Sequence, residues 1–82
     1  MMIQEKKLKS AFKKFCFAMD CRLHEKERLG YQGWDDKKFM RYILSEAKKD
    51  MRKLNLSLDN EEREYLAVDI ANRMMMIFNM TN

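Results

Sequence analysis

The chain has 82 residues, with no proline, two glycines and nine methionines; 46% of it is hydrophobic and 37% charged. That length suits one small domain, the scarcity of turn formers argues against many short strands, and the apolar content argues against intrinsic disorder. No apolar run approaches the roughly 18 residues of a bilayer span, and the +4 net charge is all N-terminal, where residues 1–19 set Lys6, Lys7, Lys9, Lys13 and Lys14 against Glu5 alone.

Leu8, Ala11, Phe12, Phe15, Cys16, Met19 and Leu23 recur at steps of three and four, which predicts a helix over residues 2–29 with the lysines on its opposite face. Those five lysines read as a solvated face or as a patch for nucleic acid, an acidic protein or polyphosphate. The lysine-rich start lacks the continuous apolar stretch of a secretion signal, so a cytoplasmic location with reduced thiols is expected. Cys16 and Cys21 are five apart, unlike the paired spacing of zinc sites, and His24 is the single histidine. Cys16 lies on the apolar stripe and is expected in the core.

Both glycines fall in Gly30-Tyr31-Gln32-Gly33-Trp34, followed by Asp35 and Asp36, either of which can cap the next helix. That second helix is predicted over residues 37–54, with Phe39, Met40, Ile43, Leu44, Ala47, Met51 and Leu54 as its apolar set. A connection follows, in which Ser57 or Asp59 caps a third helix over residues 60–79. Glu61, Glu62 and Glu64 suit the positive end of its dipole. Met74, Met75 and Met76 cover more than one face of this helix. The expected fold is therefore all-α: one domain with three main helices, its bundle completed by dimerisation.

Some carboxylates fall on the apolar side. Glu46 and Asp50 are four apart and flank Ala47; Asp69 is bordered by Leu66, Ile70 and Arg73. Buried carboxylates need a counter-charge. Turned inward together, Glu46, Asp50 and Asp69 would make an oxygen cage for Mg²⁺, or alternatively Mn²⁺. At the edge of the stripe they would instead pair with Lys49, Lys53 or Arg73 across a helix turn.

The run Arg22-Leu23…Gly30-Tyr31-Gln32-Gly33-Trp34, then Glu46…Asp50, then Asp69-Ile70-Ala71-Asn72-Arg73-Met74-Met75-Met76-Ile77 resembles the short MazG-like proteins, all-α nucleoside triphosphate pyrophosphohydrolases. The match covers roughly residues 22–78. The Gly-Trp turn and the Asp-Ile-Ala-Asn-x-x-Met-Met-Ile stretch are its specific parts. The resemblance implies Mg²⁺-dependent cleavage of a nucleoside triphosphate to monophosphate and pyrophosphate, with carboxylates of two helices holding the metal. It places Glu46 at the first and Asp50 at the last acid of the family's EExxE helix, Asp69 at the aspartate of ExxD, and Asn72 at the asparagine after it. Lys49, Asn72 and Arg73 are the candidate nucleotide or phosphate contacts.

Two family carboxylates are replaced, by Ala47 and Leu66. Glu64 lies about 200° round the helix from Leu66 and is a poor substitute. A weakly bound Mg²⁺ and weak or lost hydrolysis are expected, in a protein that binds a nucleotide or a protein partner. Two alternatives are an active small pyrophosphohydrolase with a reduced metal site, and a basic helical regulator that binds nucleic acid or protein through Lys6, Lys7, Lys9, Lys13 and Lys14. For the latter, Tyr31 and Trp34 would stack on bases, whereas the resemblance has them packing against the helices. It also suggests a phage-encoded protein acting on a host protein in the host cytoplasm; the homodimer and the absence of a membrane are expected from the helix faces and the composition.

Overall fold

Three helices, α1 (Glu5–Arg28), α2 (Met40–Leu56) and α3 (Asn60–Met80), make up the fold in a computed structural model that describes residues 5–31 and 33–81. Among the described residues there is no strand. The expected start of the first helix, residues 2–4, lies outside them. No helix among them is long and apolar enough to cross a membrane.

Local chemistry explains each boundary. After α1 the Tyr31 N–H donates to the Lys26 carbonyl and the Gly30 N–H to that of Glu27, at 3.1 and 3.0 Å. This pair of bonds satisfies carbonyls that a helix end leaves open, and it needs a left-handed residue, here Gly30 at φ 84°. Asp36 caps the next segment, its Oδ1 accepting from the Lys38 N–H at 3.1 Å. Residues Lys37–Phe39 form a 3₁₀ turn before α2 proper, and α2 runs two residues past its expected end at Leu54. Between α2 and α3, Arg63 donates from Nε and Nη2 to the Ser57 carbonyl at 2.9 and 2.7 Å. Asp59 caps α3 by accepting from the Glu61 N–H at 3.2 Å.

α3 packs mainly against α2 and less extensively against α1. Ile43, Met76 and Met80 form the buried cluster, closed by Leu23, Met40, Met75 and Ile77. Ala47 and Leu66 are buried as well. By contrast α1 has no buried residue, and residues 5–17 are exposed throughout. Cys16 is therefore on the surface, not in the core. Its stripe points the expected way, but among the described residues the bonds and core packing that hold α1 come from its second half, near Met19, Arg22, Leu23 and Lys26.

The turn supplies a stability test. Gly30 and Gly33 both have positive φ, and a Cβ on Gly33 would stand 2.7 Å from Phe39 Cε2, whereas one on Gly30 meets nothing within 4 Å. Gly30→Ala should cost about 1–2 kcal/mol, the left-handed penalty alone. Gly33→Ala should lower the urea midpoint further; equal losses would contradict this packing.

Candidate functional site

Asp50 and Asp69 are both buried, on α2 and α3, and each is met by cationic side chains of this chain. Arg73 of α3 reaches across to α2, its Nη1 ion-paired with Asp50 Oδ2. Asp69 Oδ1 accepts from Arg22 Nε at 3.0 Å and lies 3.6 Å from Lys26 Nζ, both from α1. Arg22 also pairs with Glu25 at 2.6 Å and stacks over the Tyr65 ring, 4.1 Å from its centroid. Burial works against the charge on Arg22, but its bonds to Glu25 and Asp69 outweigh that and raise its pKa. Lys26 is lowered, first by burial and then by the nearby Arg73 and Arg22, with Asp69 opposing.

Glu46 behaves as an edge acid. It is half-buried and accepts from Lys49 Nζ at 3.4 Å, three residues along the same helix. Arg73 does not take the short route to Asp69 across a turn but neutralises Asp50 on the neighbouring helix. Among the described residues no three His, Cys, Asp or Glu side chains are grouped to hold a metal ion. Asn72, expected to meet a nucleotide, is fully buried; its Nδ2 donates to the Met19 carbonyl at 3.2 Å and ties α1 to α3. Its Oδ1 is buried without a hydrogen-bond partner among the described residues. Lys49 is exposed and held by Glu46, and Lys6, Lys7, Lys9, Lys13 and Lys14 of α1 all face solvent.

Beside the ion pairs opens a basin of about 1100 Å³. Buried Ile43 and Met76 line it with Leu23 and Met75, and Tyr31, Trp34, Phe39 and Tyr42 form an aromatic wall that is largely exposed. Tyr31 and Trp34 thus border an opening instead of packing into the core. Four charged residues are among the described lining: Lys26 and Arg73, each engaged by a buried aspartate, and the carboxylates Glu27 and Asp35.

Reading the sequence for inward acids missed Arg22 and Lys26. The signal was present: these residues, one turn apart, continue the stripe of Phe15 and Met19 at helical spacing, so two cations also fall on an apolar side. Comparison of the chain with protein-family models, curated proteins and solved structures finds no match.

Removing one partner of a buried pair leaves an uncompensated charge, whereas replacing both with apolar groups is often close to neutral. Arg73→Met should therefore cost about 3–5 kcal/mol in urea unfolding. Arg73→Met combined with Asp50→Leu should recover most of that loss. Additive losses in this double-mutant cycle would show that the pair is not coupled.

Proposed function

We propose that this chain is a MazG-like helical domain that has lost metal-dependent hydrolysis of nucleoside triphosphates and works as a homodimeric protein-binding module. The observation that carries this reading is the pairing of Asp50 with Arg73, and of Asp69 with Arg22 and Lys26. In the family that the sequence resembles, these positions serve a metal. A divalent ion here would have to displace organic cations that are already bonded in a partly desolvated interior.

The placement of the replaced positions supports the resemblance itself. Ala47 and Leu66 stand where the family has carboxylates, and both are buried, on the same sides of α2 and α3 as Asp50 and Asp69. Four of the five motif carboxylate positions thus turn inward, Glu46 being the edge acid, and two of those four are apolar. Mg²⁺ demands near-octahedral oxygen coordination, and two aspartates already in ion pairs are a poor start for it.

The basin favours a protein over a nucleotide. A triphosphate entering it would face Glu27 and Asp35 and would have to break an ion pair to reach Lys26 or Arg73. Aromatic and methionine side chains around an open apolar hollow suit the apolar face of a helix, since methionine adapts its shape to what packs on it.

The reading predicts no release of pyrophosphate above buffer from ribo- and deoxynucleoside triphosphates with Mg²⁺ or Mn²⁺. Turnover that disappears in Asp50→Asn would overturn it and restore the enzyme.

A further inference from the structure

We infer that the basin receives the N-terminal half of α1 from a second copy of this chain, so that two copies clasp each other, each giving a helix and each receiving one. The inference rests on the protein-binding and homodimer parts of the proposed function and names the partner and the surfaces.

The donor is the free half of α1. Leu8, Phe12 and Phe15 are 56%, 66% and 39% exposed, and they lie on the face that packs on α3 about one to three turns beyond Phe15, at Met19, Arg22 and Lys26. This is a packing face that runs on past its own bundle. The receiver is the aromatic hollow beside α1's other end, where Leu23 and Lys26 form part of the lining. Phe12 cannot reach its own basin: fourteen residues of continuous helix hold it about 21 Å from Lys26. Only a helix from another molecule brings the two surfaces together.

Exposed area argues for the same occupant. The chain exposes 7163 Å², against about 5200 Å² for a compact monomer of its mass. Its radius of gyration is 14.2 Å, against about 11.7 Å for a compact domain of this length. The surplus of about 1900 Å² exceeds the ~800 Å² per partner that a standard interface buries.

Charge is complementary too. Lys7 and Lys14 flank the stripe on one side and Lys9 on the other, while Glu27 and Asp35 line the basin, with Asp36 adjacent in sequence. Because each copy carries both surfaces, a two-fold arrangement satisfies both at once and closes at two chains.

The test is sedimentation equilibrium on the full chain, with Phe12→Glu disabling the helix and Tyr42→Glu the basin. Both residues are exposed, so the variants should keep wild-type helical circular dichroism and urea midpoint, which are measured alongside. The wild type should be a dimer, and each variant should dissociate at least about 30-fold more readily, as expected for a central aromatic anchor. Mixing the two variants should restore association, because one intact helix and one intact basin can then meet. A wild-type dimer indifferent to both substitutions would overturn the clasp but leave the homodimer standing on another face. A monomeric wild type at 100-micromolar concentration, on the order of 10⁻⁴ M, would overturn the clasp and the homodimer together, without touching the loss of hydrolysis.

Discussion

A carboxylate taken out of water needs a cation, and this fold takes two of them out of water. Asp50 and Asp69 occupy adjoining helices, and their counter-charges come from elsewhere in the chain: Arg73 bridges α3 to α2, and Arg22 and Lys26 bridge α1 to α3. The penalty for an unpaired buried ion is several kcal/mol, a large share of what a domain this small has to spare. The dependence is sharpest for α1. It buries no residue, so its attachment rests on the Asp69 pairs, the stacking of Arg22 on Tyr65, the Asn72 bond to the Met19 carbonyl and the packing of Leu23.

A side-chain cation and a metal ion can both counter a buried carboxylate but differ in chemistry. A divalent ion keeps open coordination sites, acidifies a bound water and bridges phosphate oxygens. A guanidinium or ammonium donates hydrogen bonds and offers no water to attack with. On the proposed reading, Arg22, Lys26 and Arg73 stand where a metal would, which keeps the fold while removing the reaction. On that reading Ala47 and Leu66 complete the change, since both are buried apolar groups that need no counter-ion. The surface beside the ion pairs is largely apolar and aromatic, better suited to side chains than to phosphates.

Much of the architecture was legible in the residues. The periodicity of Ile43, Ala47 and Leu54, the glycine pair, and the candidate caps Asp35 or Asp36 and Ser57 or Asp59 located the helices to within a few residues. What periodicity could not reveal was whether a face is covered. Cys16, Phe12 and Phe15 lie on a well-formed stripe and are exposed because α3 meets α1 only farther along. The site was half legible. Acids on an apolar side stood out, but the matching test for bases would have flagged Arg22 and Lys26. The Arg73–Asp50 pair crosses between helices and leaves no mark in spacing along either one.

The central claim is that this chain's own cations hold the place of a metal. Its most direct test is urea unfolding of the chelator-treated protein with and without millimolar Mg²⁺. A ligand bound only by the folded state stabilises it by mass action, and a thousandfold excess over the dissociation constant is worth about 4 kcal/mol. If Arg22, Lys26 and Arg73 neutralise Asp50 and Asp69, Mg²⁺ should leave the unfolding midpoint unchanged apart from its effect as a salt. A rise of that size, absent in Asp69→Asn, would contradict the account.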